Sequence, residues 1–181
     1  MKKIVLAFLS VFTLHLAMAQ KDAVKVGGAP MYATKNIIEN ASNSNDHTTL
    51  VAAVKAAGLV SKLEGPGPFT IFAPTNAAFE KLPKGTMTSL VRPENRPTLI
   101  KILTYHMVSG RWDAKDIARM IKDGGGTATL KTVSGGTLVA KMDGDRLLLT
   151  DEKGSISTVI VKNVNQSNGI MHVIDTVLMP Q

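Results

Sequence analysis

An α+β fold is predicted for this chain by the order of its patterns and by their punctuation. Apolar residues recur at helical spacing through the middle of the sequence, whereas from Thr127 onward they alternate with polar ones. Glycine- and Asp-Gly-type turns separate the alternating runs, and helices do not alternate strictly with strands. That order implies a largely antiparallel sheet, or sandwich, with several short helices segregated against it.

The first nineteen residues differ in kind from the rest. Lys2 and Lys3 precede an apolar run from Ile4 to Leu14, and Ala17-Met18-Ala19 supplies small residues at A-x-A spacing. This is the pattern of a secretory signal peptide, with cleavage expected between Ala19 and Gln20. The apolar run is too short for a membrane span, which needs about 20 residues. Cleavage leaves about 160 residues, expected to be soluble and enough for one domain over 36–180. The chain has no cysteine, so its core must hold by burial alone, without disulfides, acylated-cysteine anchoring or thiol chemistry.

Residues 20–35, rich in charge and carrying Gly27, Gly28 and Pro30, show no period and read as an N-terminal arm. Asn36 is placed to cap a short helix through Ile37, Ile38 and Ala41. Asp46 opens a longer one with Leu50, Val51, Val54 and Ala57 on one face, stopped by Gly58. GPGP at 65–68 forces a turn, and a strand follows over 69–73. Phe69, Ile71 and Ala73 point to one side and Phe72 to the other; both faces are apolar, so the strand should be central. Pro74 ends it, and Thr75 caps a helix carrying Phe79 and Leu82. Further helices are expected over 86–91 behind a threonine cap, 97–105, and 113–122 ending at Gly124. The strands ATLKTV, TLVAKM, RLLLT, STVIVKNV and IMHVIDTVLM follow, with DGD at 143–145 a strong hairpin signal.

The charge, formally +7 with two lysines in the leader, is scattered among acids. With only Tyr32, Phe69, Phe72, Phe79, Tyr105 and Trp112 beyond the leader, no stacking platform for nucleic acid is visible. His106 lies near Ser109 and Asp113, but no G-x-S-x-G elbow lifts the serine, and three residues this close in sequence seldom assemble a triad. His47, His106 and His172 are too few for a cysteine-free zinc site, and His172 and Asp175, three apart on a strand, would project to opposite faces. The triple glycine at 124–126 follows a helix instead of preceding one, unlike a phosphate cradle. No cofactor is expected. Asn40-Ala41-Ser42 and Asn165-Gln166-Ser167 match the glycosylation sequon but read as ordinary loop residues.

Three motifs occur together: FTIFAPTNAAFEKLP at 69–83, ILTYHMVSG at 102–110 and NGIMHVIDTVLMP at 168–180, with GGTL at 135–138 between the last two. Jointly they resemble the fasciclin domain family, and most closely its small, single-domain secreted bacterial members. The first stretch is similar to one signature box and the last to the other; Tyr105-His106 is similar to the central tyrosine-histidine pair.

The resemblance implies a fasciclin-like wedge that works as a non-enzymatic adhesion or interaction module, secreted or periplasmic. Its expected partner is a cell-surface or matrix protein or polysaccharide. The motif residues Phe69, Phe72, Pro74, Thr75, Phe79, Tyr105, His106, Gly169, His172 and Asp175 then read as structural. In animal members an Asp-Ile pair before the second box is linked to integrin-directed activity; Asn163-Val164 stands at the matching position here. Interaction is left to the exterior: the arm, the loop RPENRP with Arg92 and Arg96, and the turn at Arg111 and Trp112. Two alternatives stay open, an extracytoplasmic hydrolase with His106 as base and a small-ligand or lipid binder with a groove near Met107, Met142, Met171 and Met179.

Overall fold

A computed structural model of the chain describes residues 23–181. The leader and its cleavage point lie outside the described residues. The first described element corrects the expectation of an irregular arm, because Val24–Val26 (β1) and Ala29–Met31 (β2) form an antiparallel hairpin. Gly27 and Gly28, with φ of 58° and 79°, provide the left-handed backbone of a two-residue turn. Val26 and Met31 are buried, so the hairpin is fastened to the core.

Helices follow as Ile37–Asn43 (α1), Thr48–Ala57 (α2) and Val60–Glu64 (α3). Asn36 caps α1 in a full capping box with Glu39, and Gly58 closes α2 in the left-handed conformation. Asp46 does not cap α2; it sits in a 3-10 turn, Asn45–His47, that precedes the helix. Strand Phe69–Pro74 (β3) leads through the Thr75 cap into Asn76–Glu80 (α4), where the Thr75 hydroxyl accepts from the Ala78 N–H. The next helix, Thr86–Leu90 (α5), has Gly85 and not a threonine at its cap. Arg96–Tyr105 (α6) runs into Met107–Ser109 (β4), a short strand hidden from sequence by its length. Ala114–Asp123 (α7) begins in a capping box of Asp113 with Asp116.

The remaining strands are Thr127–Lys131 (β5), Thr137–Asp143 (β6), Arg146–Thr150 (β7), Ile156–Gln166 (β8) and Gly169–Ile174 (β9). The β6–β7 connection is the tight Gly144-Asp145 turn expected from DGD, closed by the Asp143–Arg146 pair. The sheet order is β4-β3-β9-β8-β7-β6-β5, antiparallel throughout except where β3 and β9 run parallel. Its ends approach each other: Val108 bridges Thr132, and the Val133 N–H donates to the Met107 carbonyl at 2.8 Å. The fold is thus α+β, as predicted.

The alternation along β3 divides the interior. Ile71 and Ala73 join Leu50, Val54, Leu99 and Leu103 beneath the helices, with Phe69 packed against them. Phe72, fully buried, joins Ile117, Leu138, Leu149, Ile174 and Leu178 on the other side. β9 ends earlier than its apolar run suggested. From Asp175, whose Oδ1 accepts the Thr158 N–H at 2.8 Å, the chain leaves the sheet, and residues 176–181 continue as a strap that sets Val177 in the first core and Leu178 in the second.

Candidate functional site

The two signature boxes are β3 and β9, paired in parallel register from Phe69 opposite Gly169 to Pro74 opposite Ile174. Gly169 is needed for this approach, since a Cβ there would collide with the Phe69 carbonyl. Phe72 stands opposite His172 and their rings stack with centroids 5.7 Å apart. The second histidine of the motifs, His106, follows α6 and reaches the strap. Its Nδ1 lies 2.8 Å from the Ile102 carbonyl, which can only accept, so Nδ1 carries the proton. Nε2 then accepts the Leu178 N–H at 3.0 Å.

His172 takes the opposite tautomer, with Nε2–H donating to the Trp112 carbonyl at 2.9 Å and Nδ1 accepting the Asn163 N–H at 3.4 Å. Burial drives the His106 pKa down to about 4 and lowers that of His172 as well. Tyr105 is wholly buried; its hydroxyl donates to the Thr137 carbonyl at 2.6 Å and accepts the Glu152 N–H at 3.1 Å. Burial raises its pKa to about 12. Around this pair the strap is held by carboxylates, with Asp151 Oδ2 accepting from the Met179 N–H and Glu152 Oε2 from the Gln181 N–H.

These contacts bear on the two alternatives. A general base needs a free lone pair within reach of substrate, whereas both His106 nitrogens face backbone groups in a 3 % exposed ring. Met107 and Met171 line an apolar cavity of only about 30 Å³ beneath α1, α2 and α3. That is room for about one water, against roughly 300 Å³ for a ligand pocket. Met142 and Met179 pack, half-buried, against the second and first cores respectively.

His172 and Asp175 do not meet. His172 lies under the α7 entry, and Asp175 turns to Thr158, Ser157 and the Lys81 ammonium, 3.7 Å from its Oδ2. Burial alone would raise the Asp175 pKa, but its hydrogen bonds and Lys81 outweigh that and hold it low.

Of the exterior candidates, Arg92 is exposed beside Glu94, while Arg96 donates from Nε to the Ala57 carbonyl and closes the end of α2. Trp112 covers Gly110, its Nε1–H donating to the Ser109 carbonyl at 2.9 Å. Arg111 reaches Asn165 Oδ1 at 2.8 Å and the Gln166 carbonyl at 2.6 Å. Both asparagines expected in loops need correction, since Asn165 lies within strand β8 and accepts from Arg111. Asn40 is a fully buried helix residue bonded to the Tyr32 backbone and Gln166, not a loop residue. Asn163, standing where animal relatives carry the acidic residue, lies in an irregular stretch of β8 with φ of 61°, and its Oδ1 accepts the Ala114 N–H at the start of α7. Sequence reading missed Asn168 as a junction, where Oδ1 accepts the Ile37 N–H and Nδ2 donates to the Leu63 and Gly65 carbonyls. Only its place in an Asn-Gly turn signalled it.

A sequence model of the fasciclin domain matches residues 45–180. The chain is 41% identical over 166 residues to Protein sll1483 of Synechocystis, covering 92% of this chain and 84% of that one. It is 32% identical over 184 residues to the cell surface glycolipoprotein MPB83 of Mycobacterium bovis, covering 91% of this chain and 76% of the relative. Among solved structures it is similar to the FAS1 domain pair of the insect cell adhesion molecule fasciclin I, with a TM-score of 0.63 and 19% identity. That match covers 80% of this chain and 51% of the pair, and it bears on the fold. The chain belongs to the fasciclin domain family.

Proposed function

We propose that this protein is a non-enzymatic interaction module working outside the cytoplasm, directed there by the leader at 1–19 and binding a cell-surface or matrix partner through its exterior loops. The observation that carries this reading is the use of the motif side chains. Tyr105, His106 and His172, the groups best suited to proton transfer, have their polar atoms committed to backbone partners inside the core. What remains for recognition is the surface around them. The name of MPB83 as a cell surface protein supports the location, and no helix of the described residues is long and apolar enough to cross a membrane.

The test is retention. The chain lacking residues 1–19, immobilised at physiological salt, is expected to hold back a discrete protein or polysaccharide from cell-envelope and culture-medium fractions. Retention of nothing from any fraction, or turnover of ester or glycoside substrates that disappears in His106→Gln, would refute the reading.

A further inference from the structure

We infer that the open cleft beside Arg111 is a subsite for an anionic sugar, with the guanidinium receiving a carboxylate or sulfate oxygen of an acidic polysaccharide. This rests on the interaction-module reading and names the chemistry of its partner. The cleft, about 630 Å³ and open to solvent, is lined by Ala33, Arg111, Asn165, Gln166 and Ser167. Three parts of the fold meet there: the segment after the β1–β2 hairpin, the link between β4 and α7, and the turn from β8 to β9.

Arg111 is held without being neutralised. Its two terminal nitrogens donate to the amide oxygen of Asn165 and the backbone carbonyl of Gln166, both uncharged, and no carboxylate among the described residues forms an ion pair with it. Each terminal nitrogen carries a second hydrogen, so the guanidinium keeps donors and its full charge for an incoming anion. Of the acids on the adjoining segments, the Asp113 carboxylate accepts the Lys115 and Asp116 N–H groups and that of Glu39 accepts the Asn36 N–H.

Lys35 joins the rim through its backbone. The Lys35 carbonyl accepts the Ser167 N–H at 2.9 Å, and the Lys35 ammonium lies 5.5 Å from the centre of the Tyr32 ring. Fixing the guanidinium in advance removes much of the ordering entropy that an exposed arginine otherwise loses on binding. The exposed Asn165 and Ser167 side chains suit sugar hydroxyls. The rim offers no buried aromatic or aliphatic anchor of the kind on which protein partners concentrate their affinity.

Calorimetric titration of the chain lacking residues 1–19 with polygalacturonate, dextran sulfate and neutral dextran tests this. At least one charged polymer is expected to bind and neutral dextran is not; the stronger of the two identifies the group as carboxylate or sulfate. Arg111→Gln should weaken binding by about tenfold or more, as loss of a charge-assisted hydrogen bond does. Arg146→Gln, the same charge change at an exposed arginine on the β6–β7 hairpin, should alter it by less than about twofold. Ser167→Glu leaves the Arg111 bonds in place, sets a negative charge on the rim and should abolish binding; thermal melts confirm that each variant is folded. Equal binding by wild type, Arg111→Gln and Ser167→Glu, an equal loss in Arg146→Gln, or no binding of either charged polymer overturns the inference. Retention of envelope material that is undiminished in Arg111→Gln overturns it alone, whereas absence of all retention by wild type overturns the module itself.

Discussion

His106 sits at the point where α6, β3 and the strap converge, and its two nitrogens decide what its removal does. Besides its ring contacts, its carbonyl accepts the Phe72 N–H at 2.9 Å, so backbone and ring act on different neighbours. His106→Ala leaves the Leu178 N–H and the Ile102 carbonyl without their partner and opens a hole in a closed core. A loss of about 2–4 kcal/mol, read as a lower urea midpoint, is expected. The same residue sets a pH dependence. Its folded-state pKa, about 4, lies below the unfolded value of 6.5, so on acidification the unfolded chain takes up the proton first. Its contribution is complete above about pH 6.5 and is lost as pH falls toward 4, a change of roughly 3 kcal/mol. Burial also lowers the pKa of His47 and of His172, so both act in the same direction. The urea midpoint should therefore be flat from pH 8 to 7 and fall steeply between 6.5 and 4, with a shallower fall in His106→Gln.

The irregular stretch of β8 shows how an element is aimed by one side chain. Asn163 adopts φ of 61°, a left-handed conformation that asparagine tolerates better than most residues, and from there it holds the first turn of α7. Asn163→Gly keeps the backbone and loses the bond to Ala114, whereas Asn163→Ala loses both. The expected order of thermal midpoints is wild type, then glycine, then alanine, with the alanine variant about 1–2 kcal/mol less stable. Much at this scale was legible in sequence: the capping residues Asn36 and Thr75, the Gly58 stop, the split of β3 between two faces and the strands after Thr127. Each is a local signal of side-chain chemistry or periodicity. The hairpin at 24–31, strand β4 and α3 were not, because three to five residues give too little period to read. The Arg111 cleft was only half visible: arginine and tryptophan stood out as an exposed pair, but Asn165 and Gln166 reach it from more than fifty positions away.

At the scale of the whole molecule, the strap is as much part of the interior as the sheet is, with Val177 in the first core and Leu178 in the second. Val177 and Leu178 are buried at 3 % and 0 %, and the strap's backbone N–H groups supply the partners of His106, Asp151 and Glu152. Truncation after Asp175 should therefore do more than shorten an end. It strips the buried Val177 and Leu178 and the half-buried Met179 and leaves buried acceptors unpaired, and loss of the cooperative thermal transition near neutral pH is the expected outcome. The location of β9 reaches further still. It belongs to the middle of the sheet, between β3 and β8, although it is the last strand in the order of synthesis. A growing polypeptide therefore holds the gap between β3 and β8 open until β9 has been made, and the two cores on either side of the sheet can close only then.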